Sequence, residues 1–291
     1  MKKVAIIGAG MMGREIAIVY ARAGYQVAIV DATEELAVEA KKKQGEILDR
    51  EIKKGRLKAE EKDPILSRIT PVADKTLLSD YDYITEAIPE ILEMKENLFS
   101  ELDGICKPET VFMTNTSTFS ITKLSVAVSR ERKSRFLGTH FFSPAAVMKC
   151  VEVIPGHLCD EEIAREVYDM LTEMGKEAVM VKDVTGFLVN RIYHSIVTEA
   201  QRLLEEGVAS VEDIDRACKY ALGHPIGPFE NIDNTALDLN VLVEEELFEN
   251  YGERFRPSAL LKKKVDAGQL GRKVGEGFYI WTDNKKSGVA K

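Results

Sequence analysis

In the 291-residue sequence, the apolar run "GTHFFSPAAVMKCVEV" (residues 138–153) carries an imidazole, His140, and a carboxylate, Glu152, twelve positions apart. Two such groups in contact can move a proton at neutral pH. Histidine titrates at about pH 6.5, and a carboxylate beside it fixes the tautomer and stabilises the imidazolium. On a straight strand the pair would lie roughly 40 Å apart at about 3.3 Å per residue, so they can meet only if the chain reverses between them. Ser143-Pro144 is where such a reversal can start.

A second constellation lies near the N-terminus. Gly8-Ala9-Gly10-Met11-Met12-Gly13 fits G-x-G-x-x-G, between the β-branched run "KVAIIG" and a segment with Ile16, Val19, Tyr20 and Ala23 at helical spacing. The glycines allow a tight turn and close backbone approach to a pyrophosphate, which then faces a helix N-terminus. Asp31 ends the next strand, "QVAIVD", 18 residues after Gly13. A carboxylate there accepts from both ribose hydroxyls and repels a 2′-phosphate, so NAD is expected over NADP. The competing role for Asp31 is a strand-end cap for the following helix.

These residues need a scaffold, and the pattern supplies one. Helices are expected at 33–54 and 59–67, with further strands in "YDYITEAI", "TVFMTN" and "SRFLGTHFF", an alternation that implies a parallel sheet covered on both faces. After "EAVMVKDVTGF" the pattern becomes helical, at 188–206, 210–222, 235–250 and 258–267, with no clear strand. The expected fold is therefore α/β: a Rossmann-type dinucleotide-binding domain over residues 1–186, then an all-α C-terminal domain over 187–291 with a frayed tail, "DNKKSGVAK".

Composition narrows the class further. A net charge of −8 argues against non-specific binding to nucleic acid or anionic membranes, and 45% hydrophobic residues suffice for a buried core. Cys106, Cys150, Cys159 and Cys218 have no CxxC spacing, which predicts reduced thiols and no metal site. Gly8, Gly10, Gly13, Arg14 and Glu15 interrupt the apolar N-terminus, and no 18-residue apolar run occurs, so the expectation is a soluble cytoplasmic protein.

With His140 and Glu152 added to the glycine motif, the chain closely resembles the NAD-dependent L-3-hydroxyacyl-CoA dehydrogenases, including 3-hydroxybutyryl-CoA dehydrogenases. The resemblance runs from about residue 2 to 281, through "VAIIGAGMMG", "EAIPEILEMK", "TNTSTFSIT", "GTHFFSPAAVMKCVEV", "DVTGFLVNR", "EEGVASVEDID", "GHPIGPFE" and "LGRKVGEGFY". It implies hydride exchange between C3 of a hydroxyacyl-CoA and NAD, and a homodimer formed through the helical domain. It makes His140 the base and Glu152 the acid that holds it. Ser117 and Asn190 fall on substrate-polarising positions, whose plain structural roles would be a strand-end turn and a helix cap. Glu90, Lys95, Ser143 and Lys273 fall on the nicotinamide side and the cleft, and Lys54 on a position that meets coenzyme A phosphates.

Departures from the family pattern stand at Ser143, where Asn is usual, at Ala145-Ala146, where Pro-Val is usual, and at Ala236, where glycine is usual. Two other readings compete. One is a related NAD-dependent dehydrogenase of a free hydroxy or sugar acid, separable by CoA dependence. The other is a non-catalytic, crystallin-like NAD-binding protein, which has no use for Ser117, His140, Glu152 and Asn190 together.

Overall fold

The computed structural model describes residues 2–290, which divide into one compact unit ending at Val184 and another beginning at Thr185. The first unit holds eight strands: β1 (Lys3–Ile7), β2 (Gln26–Val30), β3 (Ile69–Val72), β4 (Tyr83–Glu86), β5 (Val111–Thr114), β6 (Phe136–Phe141), β7 (Cys150–Pro155) and β8 (Glu177–Met180). Its helices are α1 (Met11–Arg22), α2 (Glu34–Lys53), α3 (Lys62–Ser67), α4 (Leu92–Ile105), the short α5 (Ile121–Leu124) and α6 (Arg130–Lys133), and α7 (Glu161–Glu173).

The strands form one sheet in the order β3-β2-β1-β4-β5-β6-β7-β8. Strands β1 to β6 are parallel and buried on both faces at most positions, which explains their continuous apolar runs. Strand order reverses between β1 and β4, the place where ligands of open α/β sheets bind beyond the carboxyl ends of the strands. The sheet is not wholly parallel, as the alternation pattern implies. Only residues 142–149 join β6 to β7, too few for a parallel crossover of about a dozen residues, so β7 returns antiparallel and β8 follows it.

The second unit contains α8 (Val189–Glu205), α9 (Val211–Ala221), α10 (Pro228–Thr235), α11 (Leu237–Tyr251) and α12 (Ala259–Asp266) around a core that includes Val197, Phe229, Ile232, Leu237, Leu261 and Phe278. It is not all-α. Strands β9 (Tyr279–Thr282) and β10 (Lys285–Val289) form an antiparallel hairpin, and Asp283 and Asn284 turn it with φ of 49° and 61°. Two consecutive positive-φ residues match the right-handed twist of a hairpin, and Asp and Asn tolerate that conformation. The expected frayed tail is thus paired up to Ala290, whose N–H reaches Phe278 O at 3.0 Å; Lys291 lies outside the described residues.

Helix α10 also escaped the sequence pattern, and α11 starts two residues later than expected because Ala236 separates them with φ 81° and ψ 132°. That conformation suits glycine and strains a residue with a Cβ.

Candidate active site

The site forms where β1, β4, β5 and β6 end. Gly8 leaves β1 with φ 104°, and a Cβ there would sit 2.6 Å from Ala87 O. A Cβ on Gly13 would lie 1.8 Å from Gly8 O, so α1 can pack this closely only without one. Gly10 differs, since a Cβ there would meet nothing within 4 Å. Its side faces a cleft of about 860 Å³ whose lining includes Gly8, Gly10, Met11, Met12, Asp31 and Lys75. Missing side-chain volume at the positive end of a helix dipole is what a bound pyrophosphate requires.

Asp31 reaches this loop directly. Its Oδ2 accepts from Ala9 N at 2.7 Å and its Oδ1 from Ala32 N at 2.7 Å, so it fastens the glycine turn to the end of β2. The cap of α2 is Thr33, whose hydroxyl accepts from Leu36 N. Each Asp31 oxygen keeps a second lone pair.

The imidazole and carboxylate of the apolar run do meet. His140 on β6 is the register partner of Glu152 on β7, and its Nδ1 lies 2.6 Å from Glu152 Oε2. Both are buried, at 4% and 0% exposure. On the far side of the ring, His140 Nε2 lies 3.0 Å from Ser117 Oγ, and the Phe142 ring is tilted against the imidazole at 4.5 Å. Asn115 Oδ1 accepts from Phe141 N at 2.8 Å, tying the loop that bears Ser117 to the end of β6.

Beneath Ser117 lies an ion cluster. Lys95, 1% exposed, sits 2.6 Å from Glu86 Oε1 and 3.1 Å from Glu90 Oε2. Glu90 Oε1 accepts from the Thr116 hydroxyl, Ser117 N (3.1 Å), Thr118 N (3.3 Å) and Thr118 Oγ1 (2.8 Å). Burial opposes ionisation of Glu90, but Lys95 and the threonine hydroxyls outweigh it and hold the carboxyl below its ordinary range. Burial pushes Glu86 up, against Lys95 and the Thr114 hydroxyl. Lys95 and Glu90 therefore brace the Ser117 loop. Glu86 was invisible to motif reading because it ends an apolar strand, although a charge in "YITEAI" is itself a signal.

The residues 3–184 match the model for the NAD-binding domain of 3-hydroxyacyl-CoA dehydrogenase, and 186–281 match that for its C-terminal domain. The chain belongs to the 3-hydroxyacyl-CoA dehydrogenase family. It is 37% identical to the 3-hydroxyadipyl-CoA dehydrogenase of Escherichia coli K12 over 99% of this chain and 61% of that protein. It is 39% identical to the human mitochondrial hydroxyacyl-coenzyme A dehydrogenase over 96% of this chain and 91% of that one. The crystal structure of (S)-3-hydroxybutyryl-CoA dehydrogenase from Ralstonia eutropha superposes with a TM-score of 0.92 at 36% identity, covering 97% of this chain and 100% of that one. NAD is the cofactor, and the glycine cleft with Asp31 fits it.

The other positions expected from the resemblance are less enclosed. Ser143 is exposed beside Pro144, whereas Ala145 is fully buried. Lys54 is exposed just after α2, 3.9 Å from Glu51. In the second unit, Asn190 is the second residue of α8 and half-buried; Leu188 takes the capping position. Lys273 holds both oxygens of Asp238, at 2.7 and 2.6 Å, which keeps that carboxyl below its usual range. No helix among the described residues is long and apolar enough to cross a membrane.

Proposed function

We propose that the chain oxidises an L-3-hydroxyacyl-CoA to the 3-oxoacyl-CoA with NAD, and runs the reverse, with His140 as the proton carrier. The observation that supports this best is the imidazole held between Glu152 at 2.6 Å and Ser117 at 3.0 Å. With the carboxylate accepting from Nδ1, Nε2 is the nitrogen left to take the C3 hydroxyl proton. When bound, NAD accepts the hydride from the same carbon. Glu152 fixes the ring's tautomer and stabilises the imidazolium that results, and the Ser117 hydroxyl polarises the reacting oxygen. In reduction the imidazolium returns the proton.

Asp31 with Gly8, Gly10, Met11, Met12 and Gly13 holds the adenosine and pyrophosphate half. Glu90 and Lys95 act on the nicotinamide side through the Ser117 loop, Ser143 and Lys273 belong to that side, and Asn190 and Lys54 are assigned to the acyl-CoA. Residues 1–186 form the NAD domain and 187–291 the helical domain. The protein works in the cytoplasm as a homodimer through the helical unit, whose exposed apolar residues include Ile192, Tyr220, Leu222 and Leu242.

The test is consumption of NADH with acetoacetyl-CoA, free acetoacetate and a carboxylated 3-oxoacyl-CoA. Turnover only on the thioesters is expected. Turnover on the free acid instead would replace this reading by that of a hydroxyacid dehydrogenase.

A further inference from the structure

The turn between β6 and β7 separates His140 from Glu152 and carries Ser143. Val147 N and Met148 N both donate to Pro144 O at 2.9 Å, making one tight coil with Val147 and Met148 exposed. Ala145, the buried residue of this coil, is gripped from two sides. Its N–H donates to the Glu15 carboxylate, and its C=O accepts from Lys176 Nζ at 2.5 Å. Lys176 also donates to Met148 O at 2.9 Å.

Both charged residues are buried, at 9% and 8% exposure, and neither belongs to the turn. Glu15 lies in the second turn of α1, the helix that begins at the glycine loop; Lys176 immediately precedes β8. Burying two opposite charges is costly, and a turn this short closes its own backbone hydrogen bonds without them. What the charges add is a fixed distance between the cofactor helix and the hairpin bearing the proton carrier.

We propose that Glu15 and Lys176 form a positioning pair that locks the β6–β7 turn to helix α1, so that cofactor helix and His140–Glu152 hairpin keep one register. The proposal rests on the dehydrogenase reading of that hairpin. It has a pH consequence, because burial, reinforced by Arg22 and opposed by Glu15, both on α1, lowers Lys176 to about 8. Above that pH the amine keeps N–H donors but loses the charge that attracts Glu15 and strengthens both carbonyl bonds.

Stability moves the other way. An unfolded lysine stays protonated to about pH 10.4, so over the interval above pH 8 the unfolded chain binds the extra proton and this group's contribution to stability rises with pH. Loss of activity with a steady or rising melting temperature is therefore the signature, and a merely structural lysine would not give it.

The experiment measures oxidation of a 3-hydroxyacyl-CoA by NAD, the direction in which a neutral His140 is the active form and high pH does not disable it. From about pH 7 to about pH 9.5 the wild type should lose several-fold in kcat/KM with an inflection near 8, and Lys176→Arg, charged throughout, should not. Lys176→Met at neutral pH should lower kcat by about 10-fold and raise the KM for NAD, through misplacement and not through lost chemistry. Glu15→Gln should act in the same direction, more weakly. A flat wild-type profile over that range, which needs no variant to fold, would overturn the proposal, as would Lys176→Met with wild-type kcat and KM. Failure of the dehydrogenase reading looks different: no turnover by the wild type on any 3-hydroxyacyl-CoA at any pH.

Discussion

Each unit of the molecule buries one histidine beside one glutamate, and the two pairs are built differently. In the sheet, His140 and Glu152 are register partners on adjacent strands, so the ladder itself sets their separation, and Nδ1 meets the carboxylate at 2.6 Å. In the helical unit, His194 on α8 and Glu244 on α11 are as deeply buried, at 5% and 0% exposure, but stand 3.5 Å apart. His194 Nδ1 and Glu244 Oε2 have no hydrogen-bond partner, and Glu244 Oε1 is taken by Gln201 Nε2 at 2.8 Å. Composition and burial are the same in both. What separates them is whether each ring nitrogen has a placed partner: His140 has Glu152 on one side and Ser117 on the other. Packed helices leave that to side-chain rotamers; an antiparallel register does not.

The sharpest way to break the comparison is to remove each imidazole in turn. His140→Gln should lower turnover by about 10²–10⁴ and leave NADH affinity within a few-fold, as loss of a general acid/base does. His194→Gln should leave kcat within about 3-fold, since that ring carries no proton in the proposed reaction and its loss is felt as stability. If the two variants lose turnover equally, the placed-partner argument is wrong.

The support under Ser117 is the next difference, because the helical pair has no such support. Lys95→Met leaves Glu86 without its cation in a buried site, and breaking a buried ion pair this way costs about 3–5 kcal/mol. Chemical denaturation should show that loss, and the protein that remains folded should turn over more slowly because Glu90 no longer fixes the Ser117 loop. A stability change below about 1 kcal/mol would mean that Glu86 takes up a proton at little cost.

Glu152→Gln tests the link between carboxylate and ring. It should slow turnover by about 10- to 100-fold, the range for losing a partner that orients a functional histidine. An unchanged turnover would detach Glu152 from the proton transfer.

How much of this the chain announced differs by region for a physical reason. The glycine loop, Asp31 and the His140–Glu152 reversal are short-range patterns: periodicity places the strands, and Ser143-Pro144 marks a reversal whose shortness forces the antiparallel return. Ser117 facing His140 Nε2 rested on resemblance, because nothing local shows that the ends of β5 and β6 lie together. Glu86, Lys176 and the His194–Glu244 pair depend on which residues packing brings close, across separations up to fifty positions. The β9–β10 hairpin was missed for another reason, since its strands are short and half-exposed, although Asp283-Asn284 carries the turn signal.

The smallest effect expected is also the one that separates the two pairs most directly. Glu244 is a carboxylate at 0% exposure with one oxygen lacking any hydrogen bond, and a buried charge left so carries a desolvation penalty that its single bond to Gln201 offsets only in part. In Glu244→Gln the amide oxygen can still accept from Gln201, and the charge is gone. A buried charge that its surroundings satisfy only in part is replaced by a neutral amide, so the variant should unfold at higher denaturant, by about 1 kcal/mol, with kcat unchanged. The same exchange at Glu152 should do the reverse, costing turnover and gaining no stability, because there both partners are already placed. Should Glu244→Gln instead destabilise by more than about 1 kcal/mol, the His194–Glu244 pair would be a working ion pair, and the distinction between the two units would not lie in the placement of the ring's partners.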